Sequence, residues 1–90
     1  MTIPRKRMPD RRVRSPIHHG DFVIRPVVTP AEADPHQWDA RVEIARSQGT
    51  ARVRQFDAQR SFPGVEEAED YAIEFGKKII DGHFPDYSPP

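Results

Sequence analysis

The sequence predicts an α+β fold with two layers, in which one C-terminal helix covers one face of a three-stranded antiparallel meander. Three observations predict it: apolar and polar residues alternate along 38–45, an amphipathic segment with helix-end signals spans 65–82, and the first residues are basic and interrupted by proline. The expected order is a disordered basic arm over 1–19, a β-β-β-α domain over 20–82 and a short proline-containing tail over 83–90.

The amino-terminal arm is expected to be disordered because Pro4, Pro9 and Pro16 interrupt helices and few aliphatic side chains are present. It carries six basic residues against Asp10, a net charge of +5, so the rest of this formally neutral chain carries −5. Such an arm predicts a polyanion partner, a solubilising tail, or docking on the acidic helix of the same chain. Its candidate nucleic-acid-binding residues are Arg5, Lys6, Arg7, Arg11, Arg12 and Arg14.

Three strands are expected in the domain. Residues 21–29 are rich in β-branched and aromatic residues, and Pro26 either restricts this first strand to a sheet edge or ends its ladder early. The second strand buries one face, because its apolar residues alternate with polar ones. These apolar positions are Trp38, Ala40, Val42 and Ile44. A two-residue turn at Gln48 and Gly49 is then expected to lead into a third strand over 51–56.

That turn predicts the register of the hairpin. Ile44 then faces Val53 on the buried side, and Glu43 faces Arg54 on the open side. Phe56 does not follow this alternation, so it lies either on a bulge that turns it into the core or on the open face. The arginines expected on the open face are Arg41, Arg52 and Arg54. With an aromatic residue they would form a platform for single-stranded bases, the alternative being a solvated face.

Residues 65–81 predict the helix. Acidic residues in its first turns and two lysines near its end complement the helix dipole, and Gly82 suits the position after the C-cap. Gly76 permits a close approach to the sheet. Ile73 and Ile80 lie beyond the edge of the apolar face, so a loop, the C-terminal tail or a second copy must cover them. These two isoleucines are the self-association candidates.

The hairpin and the segment 66–82 (EEAEDYAIEFGKKIIDG) resemble a family of short uncharacterised proteins of Gram-negative bacteria. The resemblance covers about 20–82 and implies the same β-β-β-α domain, with no established activity. The order of elements is also similar to a double-stranded-RNA-binding domain without its first helix, although this helix begins with acids. Phe62-Pro63-Gly64 and the start of the helix resemble part of the HicB-type antitoxin fold, which implies an antitoxin-like interaction role.

Composition and motifs argue against catalysis and cofactors. The chain has no cysteine, which excludes disulfides, thiolate nucleophiles and cysteine-based metal sites. The serines lie in no nucleophile elbow, and the glycines form no phosphate-binding run. The histidines, His18, His19, His36 and His83, lack the spacing of metal ligands. We therefore expect no catalytic residue, cofactor, metal or small-molecule substrate.

No apolar run has the length of a secretory signal or a membrane span, so a cytoplasmic protein with no membrane partner is expected. The expected function is a small non-enzymatic binding module. Its first expected partner is nucleic acid, bound through the arm and the open sheet face. The alternative is a protein-interaction or homodimerising module, in which the arm is a solubilising or self-docking tail.

Overall fold

The structure is a computed structural model that describes residues 16–48 and 52–90. Within these ranges four antiparallel strands form one sheet in chain order, and one C-terminal helix packs on one face. The elements are β1 (Ile17–His19), β2 (Phe22–Pro30), β3 (Trp38–Arg46), β4 (Val53–Phe62) and α1 (Val65–Ile80). The predicted α+β class, antiparallel sheet and C-terminal helix are confirmed. The predicted number of three strands is wrong.

The additional strand, β1, lies at the end of the segment that was predicted to be a disordered arm. It pairs with the first residues of β2, so Gly20 and Asp21 form a two-residue turn in which Gly20 has φ +62°. Glycine adopts positive φ without steric cost, and Gly-Asp is a known hairpin signal. Ile17 packs against the core and stabilises the strand. The predicted arm boundary at residue 19 is thus corrected, and residues 1–15 lie outside the described chain.

The core lies between α1 and the adjacent face of β2 and β3. The alternation predicted for β3 is confirmed, since its even-numbered central residues face the helix. At the closest approach, a Cβ on Gly76 would lie 3.0 Å from Cγ2 of Ile24 and 3.0 Å from Cγ2 of Val42. The fully buried residues of this layer are Ile24, Ala40, Val42, Ile44, Ala68 and Ala72. The backbone of α1 at Gly76 therefore packs directly against side chains of β2 and β3.

The end of α1 has the glycine signal that the sequence predicts. Gly82 has φ +85°, the left-handed conformation that favours glycine after a helix. Its N–H donates to the carbonyl of Ile79 at 3.1 Å, and the N–H of His83 donates to the carbonyl of Lys78 at 2.9 Å. These bonds satisfy carbonyls that the last helical turn leaves without intrahelical partners.

The register of β3 and β4 differs from the predicted one by one residue, since Ile44 lies opposite Arg54. A one-residue shift exchanges the two faces of a strand. The observed register buries Phe56 opposite Val42, with 7% of it exposed, and leaves Val53 52% exposed on the open face. Burial of a phenyl ring removes more apolar area from water than burial of a valine, which is the physical reason for this register.

A bulge interrupts β4. The pairs of Arg41 with Asp57 and of Asp39 with Ser61 enclose one residue of β3 but three of β4. Within it, Gln59 has φ +59°, and its N–H donates to Oδ1 of Asp57 at 2.7 Å. Because the bulge adds two residues, the alternation of faces is kept, and the last aromatic residue of β4 returns to the helix side.

A methyl group at residue 76 tests the close approach of helix and sheet. We expect Gly76→Ala to lower the free energy of unfolding by about 1 kcal/mol, because overpacking costs about 1–3 kcal/mol and alanine regains about 1 kcal/mol of helix propensity. Urea denaturation followed by the fluorescence of Trp38 measures this. Lys78→Ala at an exposed helix position is the control, with an expected change below about 0.5 kcal/mol. A Gly76→Ala protein as stable as the parent would contradict the contact.

The two glutamines of β4 have opposite backbone requirements. Gln59 adopts positive φ, whereas Gln55 lies in the regular ladder opposite Glu43 and donates to its Oε2 at 3.1 Å. We expect Gln55→Gly to lower the free energy of unfolding by about 1 kcal/mol, and Gln59→Gly to leave it unchanged within about 0.5 kcal/mol, because strain relief offsets chain entropy. Thermal and urea unfolding compare the two proteins. Equal losses would mean that the positive φ is not required.

Candidate functional site

The open face of the sheet, where the sequence placed a nucleic-acid platform, is close to electrically balanced. Nη1 of Arg25 lies 3.6 Å from Oε1 of Glu43, and Nε of Arg41 lies 3.6 Å from Oδ2 of Asp57. Arg41 also donates to Oγ1 of Thr29 at 3.1 Å. Of the three arginines predicted for this face, Arg41 does lie on it, and neighbouring oxygens already hold its guanidinium.

The other two arginines predicted for that face lie elsewhere. Arg54 is on the helix side of β4, because its partner Ile44 faces the core, and Arg52 is an exposed residue just before the strand. Phe56 is buried on the helix side as well. The predicted grouping of Arg41, Arg52 and Arg54 with an aromatic residue on the open face is wrong, and the reason is the one-residue difference in register.

Aromatic and basic residues meet instead on the helix side of β4. The helix packs mainly on β2 and β3, so this flank of β4 needs other cover. The segment after α1 provides part of it, since Phe84 and Tyr87 pack against the core. The Tyr87 ring lies 5.5 Å from that of Phe56 and 5.7 Å from that of Phe75, within the range of favourable ring contacts.

A cleft of about 330 Å³ opens between β4, α1 and the C-terminal tail, and we call it the β4 cleft. Its volume is at the lower end of the range for small-ligand pockets. The rings of Tyr71 and Phe75 are nearly parallel, with centres 6.4 Å apart, and Phe84 lies 5.4 Å from Phe75. The cleft is lined by Ala58, Tyr71, Phe75, Phe84, Pro85, Asp86 and Tyr87. It therefore presents ring faces together with one carboxylate.

Two arginines flank the cleft. Cζ of Arg60 lies 5.1 Å from the ring centre of Tyr71, and Cζ of Arg54 lies 5.6 Å from that of Phe56. Both distances suit cation–π contacts. Nη1 of Arg54 also donates to the carbonyl of Ser88 in the tail at 3.0 Å. A guanidinium stacked on a ring keeps N–H groups at its edge for carboxylate or phosphate oxygens.

Sequence reasoning missed Arg60 and placed Arg54 on the wrong face. A signal was present, because Arg54 precedes Phe56 by two residues and Arg60 precedes Phe62 by two, and residues two apart in a strand share a face. Cζ of Arg60 lies 5.2 Å from the ring centre of Phe62. A cross-strand pair makes a similar contact, since Cζ of Arg46 in β3 lies 5.2 Å from the ring centre of its partner Phe22 in β2.

The self-association candidates are covered within the single chain. Ile73 is 7% exposed and counts among the buried residues, and Ile80 is half-buried against the core. Neither gives a large exposed apolar surface. This favours cover by the chain itself, one of the alternatives the sequence left open, over a second copy at this position.

The basic candidates of the arm, Arg5 to Arg14, lie outside the described residues. Arg52 is described and exposed, so it extends the arginine row of β4 beyond Arg54. The acidic ridge of α1, which is one of the alternative docking sites for the arm, is exposed at Glu66, Glu67, Asp70 and Glu74. Docking of the arm on this ridge stays a prediction.

The histidines do not gather with other metal-binding side chains. Nε2 of His19 lies 2.9 Å from Oδ1 of Asp81 and ties β1 to the end of α1. Across 16–48 and 52–90, no three histidine, aspartate or glutamate side chains are arranged to hold a metal ion. The His19 side chain thus contributes to a contact of the fold.

Comparison with known protein families, with curated proteins and with solved structures finds no match to this chain. Over the part of the chain that the structure describes, no helix has the length and apolar character needed to cross a membrane. The chemistry of the β4 cleft must therefore be argued from its own geometry.

Removal of one tail ring tests whether the tail belongs to the domain. We expect Tyr87→Ala to lower the free energy of unfolding by about 1–3 kcal/mol, because the half-buried ring contacts Phe56, Phe75 and Phe84. Urea denaturation measures the change. Asp86→Ala, at the exposed neighbouring residue, should change it by less than about 0.5 kcal/mol. Equal effects of the two substitutions would show that the tail does not pack on the domain.

Proposed function

We propose that the protein is a small non-enzymatic module that binds single-stranded nucleic acid along the helix side of β4. The observation that carries the proposal is the pair of stacked arginines, Arg54 and Arg60, on either side of an aromatic cleft. Single-strand-binding proteins combine these two elements, positive groups for the backbone and ring faces for the bases.

The dimensions of the cleft support a single strand over a duplex. A pocket of about 330 Å³ can admit an unstacked base, whereas the bases of a duplex are paired and stacked and cannot enter it. Tyr71 and Tyr87 line the cleft and are half-buried, so an unstacked base would contact the parts of these rings that Arg60 and the neighbouring phenylalanines leave uncovered. Asp86 provides a carboxylate that accepts hydrogen bonds from the amino groups of bases but repels phosphates, so the phosphates belong at the arginines.

The remaining basic residues have different parts in this proposal. Arg52 lies two residues before Arg54 and continues the row along the strand. Arg41 has no part, because Asp57 and Thr29 hold its guanidinium on the opposite face. The arm adds sequence-independent affinity through its six basic residues, and each phosphate it neutralises would steepen the salt dependence by about 0.7 for a single strand.

Charge removal at the cleft tests the proposal. We expect Arg54→Gln and Arg60→Gln each to weaken the binding of a fluorescent single-stranded oligonucleotide by about 3- to 10-fold in an anisotropy titration at low salt, because each removes a cationic phosphate contact. Arg25→Gln is the matched control. It removes the same charge from an arginine on the open face, which is paired with Glu43, and should change the affinity less than about 2-fold.

Two further variants separate the contributions of the arm and the cleft. Glutamine at all six basic positions of the arm should reduce the salt slope and weaken single and double strands alike. Tyr71→Leu keeps an apolar side chain but removes a stacking face, so it should weaken single-strand binding only. The proposal fails if no oligonucleotide binds at low salt, or if Arg25→Gln weakens binding as much as Arg54→Gln does.

A further inference from the structure

The two outer edges of the sheet differ in how well they are protected from pairing. The β2 edge is covered by β1 at its start, and Pro26 and Pro30 lie in its remaining length. Proline lacks the N–H that a further strand would need. At the other end of the sheet, β4 pairs with β3 alone among the described strands. An edge of this kind presents a row of unpaired backbone groups.

Only part of β4 is regular enough to accept another strand. Val53–Asp57 pairs with β3 without interruption, and the bulge with Gln59 at positive φ follows it. Bulges limit pairing at edges. The available edge is therefore a five-residue segment, Val-Arg-Gln-Phe-Asp, which also carries the large apolar side chain with the greatest exposure in the described chain, Val53 at 52%.

We propose that this segment pairs antiparallel with the same segment of a second copy of the chain, which gives a continuous eight-stranded sheet. This pairing does not depend on nucleic-acid binding, although it would bring two β4 clefts close together. It commits to a homodimer about a two-fold axis at Gln55, because only this register pairs all five regular residues with their counterparts.

No like charges are directly opposite in this register. Asp57 lies on the open side opposite Val53 of the second copy, and Arg54 lies on the helix side, the other face of the strand. Arg54 then lies opposite Phe56 of the second copy, and the two Gln55 side chains meet on the axis. A register centred on Arg54 would instead oppose two arginines, which is unfavourable.

The same register fixes where the helices lie. Residues directly opposite each other in an antiparallel pair share a face, so Arg54 and Phe56 of the two copies, all on the helix side, put both helices on one face of the joined sheet. The helix sides of the two β4 strands, each only partly covered in its own chain, then lie next to each other between the two helices. Each cleft gains the arginine of the second copy, and a strand bound to both sites gains avidity.

Sedimentation of the full chain over a concentration series, without nucleic acid, tests the pairing. The parent should show a monomer–dimer equilibrium. Val53→Glu places two carboxylates opposite two Asp57 carboxylates across the axis and should weaken the dimer by about 10-fold or more. Val65→Glu is the matched control, because Val65 is the other exposed large apolar residue and lies in the first turn of α1, where an acid is favourable. It should dimerise like the parent.

A cross-linking experiment tests the register independently of stability. The chain has no cysteine, so Gln55→Cys introduces one thiol per copy at the proposed axis. Mild oxidation should give a disulfide-linked dimer much faster than for Gln48→Cys, an exposed position in the turn after β3. A parent that is monomeric at every concentration, a dimer unaffected by Val53→Glu, or equal cross-linking at both positions would overturn the proposal. A dimer that binds no oligonucleotide would sustain it and overturn the proposed function.

Discussion

The contact between α1 and the two strands β2 and β3 determines much of the rest of the structure. Gly76 lets the helix backbone approach Ile24 and Val42 so closely that one methyl group would lie 3.0 Å from each. A single helix that packs on β2 and β3 at this distance is too narrow to cover β4 as well. The helix side of β4 is consequently covered by rings from the strand, the helix and the C-terminal tail, and the β4 cleft lies between them.

The same need for cover explains the register and the bulge of β4. Burial of Phe56 fixes the first half of the strand one residue away from the predicted register, which turns Arg54 to the helix side and Val53 to the open side. The bulge at Gln59 adds two residues to β4, which keeps the alternation of faces. Phe62 therefore lies on the same side of the sheet as Phe56, the side that α1 covers. The arginines two residues before each phenylalanine follow, because the strand alternation carries them to the same face. Packing of the core thereby places the basic groups of the candidate site.

Strong local patterns made part of the fold predictable. The alternation of apolar and polar residues in β3 and the helix-end signals around Gly82 depend on residues close in sequence, so both elements were predicted correctly. Three-residue β1 has almost no pattern of its own and exists through the Gly20 turn and the packing of Ile17. The register of β4 depended on whether Val53 or Phe56 is buried, which a turn length assumed from Gln48 and Gly49 could not decide. The cleft was not predicted because its lining residues come from three separate segments, β4, α1 and the C-terminal tail.

The distribution of charge over the chain determines where a polyanion can bind. The chain outside the arm carries a net charge of −5, so under the proposed function a nucleic acid would approach along the arginine row of β4 and avoid the acidic ridge of α1. The arm has the opposite charge and is tethered to the same chain, so the predicted docking on that ridge would have a high effective concentration. A polyanion would then gain only the difference between its own attraction for the arm and that of the ridge. Under the proposed function, competition from the ridge makes the arm add less affinity than its six charges suggest, and salt weakens both attractions. The specificity for a single strand would then come from the arginines stacked on rings of the β4 flank.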